Sequence, residues 1–330
     1  MKTVIAGLGS IGRRHLRNLA ALGETDIILL RSRLATMPEA DLAGYPVVTS
    51  IAEALAAKPD ALVVANPTAL HIPTAYPAVE QGVHILMEKP ISHNLDQTDQ
   101  LLRTAARSGS RILVGFQFRF HPTLNIARQL IASGELGDVV SFRGNWGEYL
   151  PNWHPWEDYR KSYAARADLG GGVTLTLCHP FDYLRWLFAD EVERLWAFNG
   201  TSAEIGLDVD ATAEVGLRFR KGMIGSVHLD YLQRPGSHSL EITCTRGRLL
   251  WDNATAQLRC YRAEKEAWQN YDAPEGFERN WLFVEEMKSF LSLARGEVES
   301  VCTLQDGIKA LEIAQAATVS AATGNMIRFG

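Results

Sequence analysis

Lys89 and His179 are the two side chains of this sequence whose type and setting suit proton transfer. Lys89 closes Val83-His84-Ile85-Leu86-Met87-Glu88-Lys89-Pro90, an apolar run after Gly82 that ends abruptly in a carboxylate, an ammonium and a ring. Such a run reads as a buried parallel strand. In open α/β sheets the carboxyl ends of the strands face the ligand crevice, so Lys89 would stand where cofactor and substrate meet, and a lysine held there can trade protons. On these eight residues alone, a strand ending in a solvated lysine reads equally well. His179 opens His179-Pro180-Phe181-Asp182-Tyr183-Leu184-Arg185-Trp186, after the triple glycine Gly170-Gly171-Gly172. Helical spacing puts His179, Asp182, Tyr183 and Trp186 on one face, where a carboxylate can orient an imidazole acting as acid or base. A lone histidine in such a place is more often structural, and its company has to decide.

The elements that would position these groups begin at the amino terminus. Thr3 to Ala6 is a short apolar strand, Gly7-Leu8-Gly9-Ser10-Ile11-Gly12 is G-x-G-x-x-G, and Arg13 to Leu19 has helical spacing. Gly7 permits the tight turn, Gly9 lets the backbone approach a pyrophosphate, and Gly12 lets helix and strand pack closely. Phosphate would sit at the helix N-terminus, on Gly7, Gly9, Ser10, Ile11 and Gly12. The second strand, Asp26 to Leu30, ends in Arg31-Ser32-Arg33 instead of a carboxylate. Two guanidiniums and a hydroxyl suit a ribose 2′-phosphate, which favours NADP(H) over NAD(H), against the alternative of solvated arginines.

Strand and helix then alternate: Val47 to Thr49, Ile51 to Ala57, Ala61 to Ala65, Ala69 to Gln81, the Lys89 strand, Leu95 to Ala106 and Arg111 to Gly115. This predicts a doubly wound parallel sheet. Asn66-Pro67-Thr68, with His71 after it, ends the fourth strand and should reach the nicotinamide half of a dinucleotide, although a turn and a helix cap use the same residue types.

Past Phe116-Gln117-Phe118-Arg119-Phe120 the pattern changes. Alternating segments from Val139 to Gly147 and from Glu191 through Tyr261 predict a mostly antiparallel sheet. A boundary near residue 120 gives two domains, 1–120 and 121–330, the second α+β and closing with helices at Trp281 to Leu293 and Leu304 to Ala322. The rings of Trp146, Tyr149, Trp153, Trp156, Tyr159 and Tyr163 alternate with His154, Glu157, Asp158, Arg160 and Lys161. They could stack on a sugar or be buried against the second domain or another subunit, and most read as buried.

Composition bounds the rest. At 330 residues two domains are the natural expectation, and 46% hydrophobic against 22% charged residues describes a folded globular chain. A net charge of −5 and no block of like charges give no electrostatic case for nucleic acid. No run is long enough to span a bilayer and the start lacks a signal-peptide pattern, so no membrane partner is expected. Cys178, Cys244, Cys260 and Cys302 lie far apart, which predicts a reduced, cytoplasmic protein with no metal site.

Together, Gly7-x-Gly9-x-x-Gly12, Asn66-Pro67, His71, Glu88-Lys89-Pro90 and a triple glycine followed by His179-x-x-Asp182 resemble the glucose-fructose oxidoreductase / inositol dehydrogenase (Gfo/Idh/MocA) family. The resemblance covers essentially the whole chain in order. It implies a Rossmann domain followed by a domain with a large open sheet used for homodimer or homotetramer formation. It also implies a nicotinamide cofactor and a sugar, inositol or sugar-derivative substrate. Carried onto this chain, Glu88 and Lys89 belong to the cofactor end, Lys89 contacts cofactor and substrate, and His179 acts as acid or base. The segment from Tyr149 to Arg166, together with the triple glycine Gly170-Gly171-Gly172, is similar to members found among surface-polysaccharide genes. Arg119, Trp153, Tyr159, Arg160, Arg166, Thr176 and Asp182 complete the candidate substrate set. One departure stands out: members commonly carry an aspartate three or four residues before the histidine, where this chain has Thr176 and Leu175.

The expected activity is hydride transfer between nicotinamide and a hydroxyl or carbonyl carbon, with Lys89 or His179 moving the proton. The alternatives are a tightly held cofactor cycled within one turnover, giving epimerisation, elimination or sugar–sugar transfer, and a non-catalytic NADP(H)-binding sensor or scaffold.

Overall fold

The computed structural model describes residues 1–31, 42–155 and 157–330, so Ser32, Arg33 and Trp156 lie outside the described residues. The short apolar runs of the first third form β1 (Thr3–Ala6), β2 (Ile27–Leu30), β3 (Val47–Val48), β4 (Ala61–Val64), β5 (His84–Glu88) and β6 (Ile112–Gly115). Between them run α1 (Ser10–Ala21), α2 (Ile51–Ala56), α3 (His71–Glu80) and α4 (Thr98–Ser108). The strands make one parallel sheet in the order β3-β2-β1-β4-β5-β6. β1 and β4 are buried at every position, which is why they read as unbroken apolar runs and not as alternation. Strand order reverses between β1 and β4, the position at which ligands bind in open sheets of this kind.

One expected helix start moves. The sequence predicts a helix from Leu95, but α4 begins at Thr98: the Asn94 side chain accepts the Asp96 N–H (3.0 Å) and the Thr98 hydroxyl donates to the Leu95 carbonyl (2.8 Å). Local side-chain bonds hold that stretch in a turn. Gly109, at φ 75°, ends the helix.

The remaining strands form a nine-stranded sheet in a second unit, Phe118–Phe277 with Lys309–Gly330. They are β7 (Val139–Gly147), β8 (Val192–Gly200), β9 (Thr212–Phe219), β10 (Ile224–Asp230), β11 (Ser237–Cys244), β12 (Gly247–Asp252), β13 (Gln257–Arg262), β14 (Ala267–Asp272) and the short β15 (Ile327–Arg328). The order is β14-β13-β12-β11-β7-β10-β9-β8-β15, antiparallel except for β7 with β10. Period-two alternation sorts the faces: on β9, Ala213, Val215, Leu217 and Phe219 are buried while Arg218 is exposed. The buried face is covered by α5 (Pro122–Ala132), α6 (Val173–Thr176) and α7 (His179–Phe188). Phe188 of α7 meets Phe142 of β7 and Phe219 of β9, each pair with centroids 5.4 Å apart. Burying such a ring contributes about 1.5–3 kcal/mol, and each favourable ring pair adds roughly 0.5–1.5 kcal/mol.

α8 (Arg279–Arg295) differs from the expected division. A boundary near residue 120 assigns it to the second domain, but it lies in Glu278–Ile308, which groups with Met1–Gln117. The segment borders β6: the Val114 N–H donates to the Cys302 carbonyl and the Ser300 hydroxyl to the Ile112 carbonyl. These bonds cover an otherwise open sheet edge, a long-range purpose that no local pattern announces. α9 (Leu304–Thr323) follows. Among the described residues no helix is long and apolar enough to cross a membrane, and all four cysteines are buried and outside any disulfide.

Candidate active site

In the first unit, the carboxyl ends of β1, β2, β4 and β5 present Gly7, Arg31, Asn66 and Lys89 at one edge of the parallel sheet. Gly7 sits at φ +92°, where a Cβ would lie 2.5 Å from the Asn66 backbone, and a Cβ on Gly12 would overlap the Gly7 carbonyl oxygen. Only glycine fits at either place. Gly9 is different: its φ is −71° and a Cβ there would meet no described atom within 4 Å. α1 starts on Gly9 with no capping side chain and no acidic residue in its first turn. The N–H groups of Ser10 and Ile11 and the positive end of the helix dipole are therefore available to an anion. An uncapped N-terminus beside a glycine with open space above it fits the pyrophosphate of a dinucleotide. Arg31, half-buried, follows β2 with its N–H on the Val48 carbonyl.

The loop after β4 is tied to the turn after β5. His71, read from the sequence as a cofactor contact, is 2% exposed and sets Nε2 2.8 Å from the Asn66 carbonyl and Nδ1 2.8 Å from the Pro90 carbonyl. Burial lowers its pKa, against the pull of those two carbonyls. The ring is a brace between the two turns: each nitrogen faces a backbone carbonyl, and in its neutral form the imidazole donates to one of them. Asn66 Nδ2 donates to Thr74 Oγ1 (2.8 Å), while its buried Oδ1 has no partner among the described residues. Thr68 is buried beside Pro67 at the start of a 3₁₀ turn.

Glu88 also turns inward. Its Oε1 lies 2.7 Å from Nε2 of a fully buried His15, and its Oε2 accepts the Lys89 N–H. Burial alone would raise its pKa, but His15, Lys89 and His71 together hold it below the ordinary carboxyl value. Glu88 therefore shapes the turn that carries half-buried Lys89. His15 was missed as a site residue. A signal existed: it shares the buried stripe of α1 with Gly12, Leu16 and Leu19, where an apolar residue is expected.

The second unit holds the histidine motif. Gly171 and Gly172 serve close approach: a Cβ on Gly171 would lie 2.5 Å from the Tyr163 carbonyl, and one on Gly172 would overlap Asp210. Asp210 accepts the Thr174 N–H (2.9 Å) and hydroxyl, fixing α6 just before His179, and burial raises its pKa. His179 is 2% exposed, edge-on to Phe118 (5.1 Å) and tilted against Trp146 (5.1 Å). Asp182, one turn on, is bound by Arg119 through two hydrogen bonds, Nε to Oδ2 at 2.9 Å and Nη2 to Oδ1 at 2.6 Å, both residues buried. The pair joins the segment before α5 to α7 through opposed charges. The same cluster contains His238, unremarked in the sequence, stacked on Trp146 (4.2 Å) and 3.2 Å from the Tyr183 hydroxyl.

The other candidates fall nearby in sequence but engage different partners. Thr176 is buried against the Tyr231 hydroxyl, and Trp153 stands edge-on to the Tyr231 ring (5.5 Å) with its buried Nε1 lacking a partner among the described residues. The Tyr159 hydroxyl donates to the Ile205 carbonyl (3.0 Å), and Arg160 lies over the Tyr159 ring and 3.6 Å from Asp158. Arg166 pairs with Asp168 at the surface.

Residues 1–116 match the family model described as an oxidoreductase family with an NAD-binding Rossmann fold, and residues 125–250 match the GFO/IDH/MocA C-terminal domain. The chain belongs to this oxidoreductase family. It is 28% identical to an uncharacterized oxidoreductase, YrbE, of Bacillus subtilis, over 98% of this chain and 94% of that one. It is 26% identical to myo-inositol 2-dehydrogenase of Thermotoga maritima, over 97% of this chain and 96% of that one. Among solved structures, levoglucosan dehydrogenase in complex with NADH and levoglucosan superposes with a TM-score of 0.87 at 20% identity, covering 99% and 98% of the two chains. As a GFO/IDH/MocA member the chain is an oxidoreductase, with the family's NAD-binding Rossmann domain in its first third.

Proposed function

We propose that this oxidoreductase is a NADP(H)-preferring dehydrogenase or reductase acting on a CH–OH carbon of a sugar, inositol or related cyclic polyol. The observation that carries the reading is Lys89, set by the Glu88 and His71 braces at the carboxyl edge of the sheet, beside the glycine cradle. Nicotinamide supplies the hydride acceptor when bound. Lys89 or His179 accepts the hydroxyl proton as the carbinol C–H electrons leave and the C=O bond forms; in reduction the same group returns it. Thr176 adds a hydroxyl near the histidine motif without a second charge. Relatives named for myo-inositol and levoglucosan support a ring-shaped polyhydroxy substrate. Arg31 and Arg33 in place of a carboxylate after β2 support NADP(H).

A homo-oligomer joined through the outer face of the nine-stranded sheet completes the proposal. Trp196, Phe198 and Ile224 are exposed there, a larger apolar display than a solvated sheet face needs.

Equilibrium titration with NADPH and NADH, followed by tryptophan quenching, tests the cofactor: NADPH binds more tightly, and Arg31→Ala with Arg33→Ala removes the preference. A screen of polyols and aldoses with Lys89→Ala as control tests the reaction. Failure to bind either nucleotide, in protein shown free of carried-over cofactor, would sink the dehydrogenase reading.

A further inference from the structure

Behind Lys89 the first unit buries two carboxyl groups and an imidazole together. His15 comes from α1, Glu88 from the end of β5 and Glu286 from α8, and their nitrogen and oxygen atoms lie within 4.8 Å of one another. His15 and Glu286 are both 0% exposed. His15 and Glu88 share a 2.7 Å hydrogen bond, whereas neither oxygen of Glu286 has a hydrogen-bond partner among the described residues. The helices that carry the outer two members are locked to each other. Arg14 lies 4.5 Å over the Phe283 ring, Phe283 stands edge-on to His15 at 6.2 Å, and Asn18 and Asn280 exchange hydrogen bonds.

We propose that Glu286 and His15 are positioning residues for the Glu88–Lys89 turn, closing on the Glu88 carboxylate from α8 and α1 and so fixing where Lys89 leaves the parallel sheet. The inference rests on the reading of Lys89 as the proton-transfer lysine. A third side closes at β6, where a Cβ on Gly115 would lie 3.3 Å from Glu88 Oε2, so the carboxylate is confined by both helices and the neighbouring strand.

Glu286 does this as the neutral carboxylic acid. Burial first, and repulsion from Glu88 second, raise its pKa well above the ordinary carboxyl value. In that form it adds no second negative charge beside Glu88 and carries an O–H to offer the cluster. The titratable and charged groups facing Glu88 are His15 and Arg14 from α1, His71 from α3 and Lys89 from its own turn. Arg14 is in turn faced by Arg17, Arg279 and Glu278. The charge acting on Glu286 is Glu88. A metal ion is the rival occupant of such a cluster. Ligand bonds of roughly 2.0–2.2 Å in a tetrahedral site hold two ligand atoms about 3.3 Å apart, and the observed 2.7 Å between His15 and Glu88 is the length of a direct hydrogen bond.

The test compares wild type with Glu286→Gln, the neutral isostere. A carboxyl ionised in the unfolded chain and neutral in the folded one makes wild-type stability fall as pH rises above the ordinary glutamate pKa, until the raised folded pKa is passed. Chemical unfolding across that window is expected to favour the variant over wild type by about tenfold more in equilibrium constant for each pH unit. An infrared carbonyl band of a protonated carboxyl is expected in wild type and absent from the variant. A pH-independent ratio, or no such band, overturns the neutral acid, and neither readout needs substrate, so both stand apart from the dehydrogenase reading. For positioning, hydrogen exchange in the β5–Lys89 peptide is expected to quicken at least tenfold in Glu286→Leu and in His15→Leu and to stay native in Glu286→Gln. With a substrate in hand, kcat falls at least tenfold in the two leucine variants at unchanged NADPH affinity. Native exchange and kcat in both leucine variants, or loss in the glutamine variant as well, overturns the proposal. One equivalent of metal in purified wild type that is missing from Glu286→Gln also overturns it, in favour of a cation site.

Discussion

His121 is pressed between the rings of Trp251 (5.2 Å) and Phe277 (5.1 Å), with Nδ1 on the Thr123 hydroxyl, and burial lowers its pKa to about 4. An unfolded histidine titrates near 6.5, so between these values the unfolded chain binds a proton that the native chain refuses. The stability this residue contributes is complete above about pH 6.5 and is lost as pH falls toward 4, by about 3 kcal/mol in all. Urea unfolding at a series of pH values should show that acid limb flattened in His121→Gln; an unchanged limb would place the titration elsewhere. The Arg119–Asp182 pair makes a second prediction. Both partners are at most 5% exposed, so Asp182→Asn leaves a buried guanidinium without its counter-charge and should cost about 3–5 kcal/mol. Arg119→Met with Asp182→Leu should cost less than either single change, and a double-mutant cycle on unfolding free energies measures the difference.

The glycine loop and α1 are best tested as one element. Gly7→Ala places a methyl on the Asn66 backbone at a left-handed φ, and it should destabilise the first unit and abolish nucleotide binding together. Gly9→Ala meets nothing in the protein and its φ suits alanine, so the melting temperature should hold within about 2 °C. If the gap over Gly9 is where a pyrophosphate lies, the same variant should weaken NADPH binding at least tenfold, read by calorimetric titration. Full affinity in Gly9→Ala would move the phosphate away from this loop.

On the scale of the molecule, the nine-stranded sheet has one face committed to the core and one outside. Phe198 is 67%, Ile224 54% and Trp196 41% exposed on β8 and β10, beside charged Arg194, Arg218 and Glu214. A face of this kind is expected to pair with its counterpart in a second copy. Trp196→Glu with Phe198→Glu should lower the sedimenting mass to that of one chain while leaving the unfolding midpoint nearly unchanged, because neither ring belongs to the buried face. A variant that sediments as wild type removes this face from the assembly.

By itself the sequence determined the local elements and their class. Apolar runs bounded by glycines specified the parallel strands from Thr3 to Gly115, period-two alternation specified strands such as Thr212–Phe219, and Gly7, Gly9 and Gly12 specified the turn into α1. Each of these is set by neighbours a few residues away, which is what periodicity and turn chemistry report. Lys89 and His179 were legible as candidates because charge at a strand end and histidine after a glycine run break the local pattern. What the tertiary structure alone decided is which polar groups meet. His15 finds Glu88 across 73 residues, Arg119 finds Asp182 across 63, and α8 brings Glu286 to the same place from near the end of the chain. It also showed that His71 and Glu88 brace the turns on either side of β5. A helical stripe shows that His15 faces inward, but a buried imidazole needs a polar partner, and Glu88 is brought to it by packing between distant segments.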